Sequence, residues 1–160
     1  MPDTPATAPV RPTIRVQYGP FDIAAETAAL VAGRTDVGGI ASFIGVTRAD
    51  DGLSRMVLEH YPGMTERAIG AIAAEALARW PLTGCTVIHR VGPLVPGEPI
   101  VLVLVASAHR TAALEACAFL IDWLKTKAPF WKREEFATGA SRWVAAREAD
   151  EATAEAWARR

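Results

Sequence analysis

The spacing of apolar and polar positions divides the chain into short elements of mixed type. Ile14, Val16 and Tyr18 alternate with polar neighbours over residues 13–18, the period of a half-buried strand. Asp22 then stands as an N-cap before Ile23, Thr27, Leu30 and Val31, with Gly33 as the stop, which predicts a short helix. Residues 38–46 read as a glycine-containing strand, in which Gly45 marks a bulge or a close backbone approach. The polar run TRADDGL at 47–53 carries an Asp-Gly turn signal and predicts a mobile loop. A strand returns at 55–61, with Met56, Leu58 and His60 on one face and Val57, Glu59 and Tyr61 on the other, until Pro62-Gly63 breaks it.

Thr65 is placed to cap the next helix, and Glu66 in its first turn complements the helix dipole. Ile69, Ile72, Ala73, Ala76, Leu77 and Trp80 form its apolar stripe, and Pro81 ends it. Residues 85–91 and 100–106 predict two strands, joined by a connection punctuated by Gly92-Pro93 and Pro96-Gly97. The second is apolar at every position, the mark of a strand buried on both faces. From 109 to 126 the pattern is helical again, with Leu114, Cys117, Ile121 and Leu124 on one side, and Pro129 bars helix at Ala128. Residues 142–146 predict a last short strand, and 150–159 an exposed Ala/Glu/Arg helix. Strands and helices mix without strict βαβ alternation, which favours an α+β class. One domain over 13–150 is expected, preceded by a loose Pro/Ala/Thr-rich tail (1–12) and followed by a helical tail (151–160).

Composition narrows the function classes. Half of the 160 residues are apolar and the formal net charge is −1, which argues against general binding to nucleic acid or anionic membrane. The longest apolar run, 100–106, is far too short to cross a bilayer, and the N-terminus has no apolar h-region. A soluble, cytoplasmic protein is the expectation. Cys85 and Cys117 are far apart, and His60, His89 and His109 are scattered, so neither a metal site nor a cofactor is expected. The two thiols read as buried residues of a reducing compartment.

The most informative stretch is LKTKAPFWKRE at 124–134, where Lys125, Lys127, Lys132 and Arg133 surround an apolar Ala-Pro-Phe-Trp turn. Lys125 lies at the edge of the helical stripe, and two readings stand open for it. Partial desolvation would lower its pKa and suit it to proton transfer; a lysine snorkelling at a helix C-terminus is the plainer case. Ser107-Ala108-His109-Arg110 lies where the buried strand passes into a helix, a place that suits an anion such as phosphate, or where Ser107 is only a cap and Arg110 only solvated. Arg48 opens the polar loop beside Gly45, as an oxyanion ligand or as an ordinary surface arginine. His60 and His89 read as satisfied boundary histidines. No GxSxG elbow, phosphate loop or GxGxxG fingerprint occurs, and neither cysteine has basic neighbours that would stabilise a thiolate. The residues alone therefore support an α+β domain with a localised cationic site for an anionic ligand.

Seven segments, in order, resemble the large subunit of molybdopterin synthase, the MoaE family. They are FIGVTR (43–48), LEHYPGMTE (58–66), RWPL (79–82), VIHRVGPLVPGE (87–98), SAHR (107–110), LKTKAPFWKRE (124–134) and RWVAARE (142–148). The resemblance implies an α/β-hammerhead fold, in keeping with the α+β class. It implies a sulfurtransferase that takes sulfur from the C-terminal thiocarboxylate of a small ubiquitin-like subunit of the MoaD type, whose tail ends in Gly-Gly. The acceptor would be cyclic pyranopterin monophosphate, converted to the dithiolene of molybdopterin in molybdenum-cofactor assembly. By the same resemblance Lys125 is the central catalytic lysine and Lys132 its assistant. Lys125, Phe130 and Lys132 would receive the partner's tail, and Arg48, His109, Arg110 and Arg147 would hold the pterin and its phosphate. The implied assembly is a homodimer within a heterotetramer, with some of these residues serving the neighbouring subunit's pocket. The competing expectation is a non-catalytic module that retains a phosphorylated pterin or an acidic partner tail.

Overall fold

The computed structural model describes residues 8–49, 52–144 and 148–160. Along these the elements run β1 (Thr13–Gln17), α1 (Ile23–Val31), β2 (Gly39–Val46), β3 (Leu53–His60), α2 (Met64–Arg79) and β4 (Leu82–Arg90). They continue with β5 (Gly92–Leu94), β6 (Pro99–Ser107), α3 (Arg110–Thr126), β7 (Phe130–Phe136), β8 (Ser141–Val144) and α4 (Glu148–Ala158). Two four-stranded sheets result. The first has the order β1-β4-β6-β2, with β1 parallel to β4 and the other pairs antiparallel. The second, β5-β3-β7-β8, is antiparallel throughout. The α+β class is as expected.

The all-apolar strand sits where its composition requires. β6 pairs with β4 on one side and β2 on the other, and Leu102 to Ala106 have no exposed surface. Val101, Val103 and Val105, with Cys85 and Val87, cluster with Ile69, Ala73 and Ala76 of α2 and Ala113, Ala116 and Leu120 of α3. Leu102, Leu104 and Ile88 point the other way, against Phe21, Leu30 and Ile44. Each such fully buried aliphatic side chain contributes roughly 1.5–3 kcal/mol. A smaller cluster of Leu58, Val91 and Leu94, with Ile100 and Phe130 against it, ties the second sheet to the first.

Local signals were mostly obeyed. The Asp22 carboxylate accepts from the Ala25 N–H at 3.0 Å and starts α1, and β2 has its register irregularity between Gly45 and Val46. Thr65, however, is not a cap. Helix α2 opens two residues earlier, with Gly63 as N-cap at φ 83° and the Glu66 carboxylate accepting from the Gly63 N–H. The Thr65 hydroxyl is buried instead; it accepts from the Tyr61 N–H (3.1 Å) and donates to the Pro129 carbonyl (3.2 Å). That bond pins the turn leading into β7 to the start of α2. In α3 the buried residues are Ala113, Ala116, Cys117, Phe119, Leu120 and Leu124, so Cys117 and Leu124 are as expected, whereas Ile121 is only half-buried and Leu114 is 60% exposed.

Two strands went unread in the sequence, β5 and β7, for reasons taken up below. Helix α4 is docked rather than free. Trp157 sets its ring edge-on to Trp80 (5.8 Å) and Phe119 (5.6 Å), and its Nε1 donates to the Asp122 carboxylate at 2.7 Å. Among the described residues no helix is long and apolar enough to cross a membrane.

The approach of β2 to the start of α3 leaves no room at Gly38. Its N–H donates to the Ser107 carbonyl at 2.9 Å, and a Cβ there would lie 1.9 Å from the Ala108 carbonyl oxygen. Gly38→Ala is therefore expected to destabilise the fold by roughly 1–3 kcal/mol. Gly70→Ala, inside α2 with nothing within 4 Å of the new methyl group, is expected to stabilise it by about 0.5–1 kcal/mol. Urea unfolding of the two variants tests this, and shifts of the same sign would refute the packing account at Gly38.

Candidate active site

Residues of both sheets meet in the small Leu58, Val91 and Leu94 cluster, and beside it both line a cleft of about 410 Å³ along this seam. Its walls come from every nearby element. The end of β2 and the following turn supply Gly45, Val46, Thr47 and Arg48, and β4 and β6 supply His89, Ile100 and Val101. The last turn of α3 brings Ile121, Leu124 and Lys125. The second sheet adds Met56 from β3, Phe130, Lys132 and Glu134 from β7, and Arg142 and Val144 from β8.

Each functional group arrives for a local reason. Thr47 is clamped by its backbone, its N–H donating to the Glu98 carbonyl (2.9 Å) and its carbonyl accepting from Gly97 N–H (2.7 Å), so the direction in which Arg48 leaves β2 is fixed. Lys125 occupies the last turn of α3, where the exposed carbonyls of the helix end favour a cation. Its side chain is exposed and joins the lining of the cleft, the placement of a lysine that snorkels from a helix end. Phe130, Lys132 and Glu134 alternate along β7 with Trp131 and Arg133, and the strand period turns the first three into the cleft. The Glu134 carboxylate is taken up by Arg142, whose Nε lies 2.8 Å away. Among the described residues, four cationic side chains, Arg48, Lys125, Lys132 and Arg142, thus face one carboxylate in the lining. An anionic ligand is what such a cleft attracts.

His89 is the group that sequence reasoning set aside. Its ring stacks on Phe130 with centroids 3.9 Å apart and planes at 22°, and Nδ1 lies 2.8 Å from the Arg90 carbonyl oxygen. Burial pushes its pKa down, the Arg90 carbonyl opposes this, and the nearby charges of Lys132 and Lys125 and of His60 push it further down, to about 4. The imidazole is neutral at physiological pH. Arg90 itself is buried but occupied: its guanidinium donates to the Tyr18 carbonyl (3.0 Å) and the Pro99 carbonyl (3.2 Å), pinning β1 to β6. The cysteines sit in the core, where burial raises Cys85 to about 12 and Cys117 to about 11, so neither is a thiolate at neutral pH.

Of the residues singled out in the sequence, the structure brings Arg48, Lys125, Phe130 and Lys132 together in this cleft. It does not bring His109 or Arg110 there. Both are exposed at the opposite end of α3, about 22 Å from Lys125 along the helix axis, with His109 as the N-cap. Ser107 is not the N-cap; its hydroxyl donates to the Pro81 carbonyl at 2.8 Å and accepts from the His109 N–H at 3.5 Å. Arg147 lies outside the described residues. Sequence reasoning missed Glu134, Arg142 and Met56, all of which share a face with residues it did name.

A family model described as MoaE protein matches residues 16–127, more than half of the chain. The chain belongs to the MoaE family. Among individual relatives, the molybdopterin synthase catalytic subunit of Mesorhizobium japonicum is 56% identical over 153 residues, covering 94% of this chain and 96% of that one. A solved MoaE protein from Burkholderia ambifaria superposes with a TM-score of 0.78 at 48% identity, covering 91% of this chain and 97% of that chain. The molybdopterin synthase structure from Staphylococcus aureus gives 0.74 at 26% identity, covering 81% and 94%. The cleft of this MoaE-family chain is accordingly set in a scaffold that its relatives share nearly end to end.

The buried neutral imidazole makes a stability prediction. Unfolded, His89 takes up a proton near its ordinary pKa of 6.5, whereas the folded protein refuses it down to about 4. Its contribution is therefore complete above about pH 6.5 and is lost as the pH falls through the window to about 4, a total on the order of 3 kcal/mol. Urea unfolding of wild type and His89→Gln at about pH 7 and about pH 5 isolates this from the carboxylates. The wild type should lose more stability on acidification, by about 2 kcal/mol; equal losses would mean that His89 is not held neutral.

Proposed function

We propose that this chain is the catalytic subunit of a molybdopterin synthase. It moves sulfur from the C-terminal thiocarboxylate of a small ubiquitin-like MoaD-type partner onto cyclic pyranopterin monophosphate to form the dithiolene of molybdopterin. One observation carries the reading: Lys125 at the end of α3 and Lys132 on the next strand, β7, face one cleft beside Arg48 from the distant end of β2, in a protein whose own thiols are buried and protonated. Thiocarboxylate and phosphate are both anions, so the site must supply fixed positive charge and no nucleophile of its own. The molybdopterin synthase relatives, alike over nearly their whole length, support the same activity.

In this reading Lys125 stands at the mouth, where a narrow Gly-Gly tail enters, and is the principal catalytic group. Lys132 lies deeper and orients or protonates the pterin, while Phe130 provides an apolar floor for the tail. Arg48 binds the anionic end of the pterin. His109 and Arg110, too far along α3 to reach this cleft, serve the cleft of a second copy, and Arg147 is assigned to the same phosphate-holding set. The working form is then a homodimer with one small subunit at each end, a cytoplasmic heterotetramer.

Reconstitution with thiocarboxylated small subunit and cyclic pyranopterin monophosphate, with the pterin followed by mass spectrometry, tests the reading. A gain of two sulfurs is expected, and Lys125→Ala should lower turnover by at least about 100-fold while leaving folding and partner binding intact. Pterin binding without sulfur gain, with a partner proven active elsewhere, would replace the enzyme by a non-catalytic binding module. An active Lys125→Ala protein would remove the lysine from the centre of the chemistry.

A further inference from the structure

Arg142 lines the cleft and has been given no task there beyond its ion pair. It stands on β8, the edge strand of the second sheet, directly across from Glu134 of β7. Cross-strand partners leave a sheet on the same face, here the face that also carries Lys132 and Val144 into the cleft. The pair is unevenly placed: the Glu134 side chain is 18% exposed and the Arg142 side chain 61%. The carboxylate belongs to the wall, and the guanidinium reaches it from the open side. Nε and Nη2 of Arg142 both meet one oxygen, Oε2 of Glu134, at 2.8 Å. Phe136 backs the group, with the guanidinium carbon 5.3 Å from its ring centroid. One edge and one face of the guanidinium are therefore fixed. An arginine carries five N–H donors in a planar fork, and Glu134 takes only the side-on edge; the end-on edge, Nη1 with the second N–H of Nη2, is turned from the carboxylate.

Two parallel N–H groups match the two oxygens of a phosphate or a carboxylate. We propose that Arg142 is a substrate-binding residue whose end-on edge takes a two-oxygen anion in the cleft, and that Glu134 is the positioning residue that holds it there. The proposal rests on the sulfur-transfer reading, which brings two such anions to this cleft. One is the phosphate of the pterin, and the other is the carboxylate in which the small subunit's tail ends when it carries no sulfur. The lone carboxylate of the lining then has a reason to be present. Facing an anionic ligand by itself, it would repel it. Engaged with Arg142, it repels little and fixes a long side chain in advance, so that less freedom is lost when the ligand arrives. Arg48 leaves the first sheet and Arg142 the second, so each sheet contributes one arginine to the same cleft.

Two plainer roles compete: Arg142 could merely staple β8 to β7, or merely mask the charge of Glu134. Arg142→Ala, Glu134→Gln and the double variant separate them, read by KM for cyclic pyranopterin monophosphate and by the calorimetric Kd for the small subunit ending in a carboxylate. Arg142→Ala should raise one of the two constants by about 10- to 100-fold. A rise in KM names the phosphate as the ligand, and a rise in Kd names the tail. The double variant should stay as weak as Arg142→Ala, because the ligand contact is gone whatever stands at 134. Recovery of binding in the double variant would mean masking, and constants that do not move in Arg142→Ala would mean a staple; either result overturns the proposal. The arginine is also read without turnover, by NMR of the full-length protein labelled with ¹⁵N at arginine and titrated with inorganic phosphate. The Arg142 side-chain signals, identified by their absence from Arg142→Ala, should shift with phosphate. Its Nε–H should be protected from exchange in wild type and lose that protection in Glu134→Ala. Signals indifferent to phosphate would overturn the ligand role, and an Nε–H unchanged in Glu134→Ala would overturn the positioning role. Absence of sulfur transfer in the wild type would instead strike the assigned reaction, leaving the phosphate titration to decide the arginine.

Discussion

A strand with no polar side chain must be covered on both faces and paired along both edges, and most of this structure follows from meeting that demand for β6. Pairing brings β4 and β2 to its sides. Covering brings α2 and α3 to one face and α1 with Phe21 to the other. Because α3 leaves directly from the end of β6 and packs back across the same sheet, its last turn is returned to the region where β6 began. Ile100 and Val101 at the start of the strand and Lys125 at the end of the helix consequently line one cleft. The chemistry at the seam is thus a consequence of hydrophobic burial elsewhere, with the second sheet completing the walls.

The electrostatics are local in the same way. A chain whose formal net charge is −1 carries four cationic side chains in one cleft, and those charges come from four elements: β2's end, α3, β7 and β8. No composition statistic would reveal this, because a total says nothing of where the charges lie. The buried basic groups are treated differently from the exposed ones. Arg90 is met by backbone carbonyls and by the Glu98 carboxylate at 3.8 Å, while His89 gives up its charge altogether. Both outcomes avoid an unpaired buried cation, by hydrogen bonding in one case and by neutrality in the other.

Much of this was legible in the sequence, and the failures share a cause. β6, the stripe of α2 and the Asp22 cap of α1 follow from signals in which burial and hydrophobicity coincide. β7 defeated the pattern because its inward face is Phe130, Lys132 and Glu134; a strand that lines a polar cleft has no dry side, so FWKREEF does not alternate apolar with polar. β5 is three residues long with a glycine at φ 83° and a proline, and reads as a turn. In α3 Cys117 and Leu124 were read rightly, but the exposed Leu114 was taken for part of the stripe, since small residues such as Ala113 and Ala116 do much of the packing there. The docking of α4 rests on one tryptophan in a polar helix. His89 was weighed as a lone histidine on a strand, and only the ring of Phe130 and the carbonyl of Arg90 show how narrowly it is held. Lys125, Lys132 and Arg48 were reached through motif resemblance; the two lysines share one short motif, but that Arg48, from the end of β2, meets them in one cleft is a fact of topology that spacing along the chain does not contain.

The bond from Trp157 to Asp122 has a mechanical meaning for the site it does not touch. Asp122 lies one turn of α3 before Lys125, and the indole fastens that turn from behind, on the side away from the cleft. The helix end is thereby a fixed post, and the lysine is a long arm pivoting on it. Movement of the ammonium across the mouth then needs only rotations within one side chain, while the frame that carries it stays still.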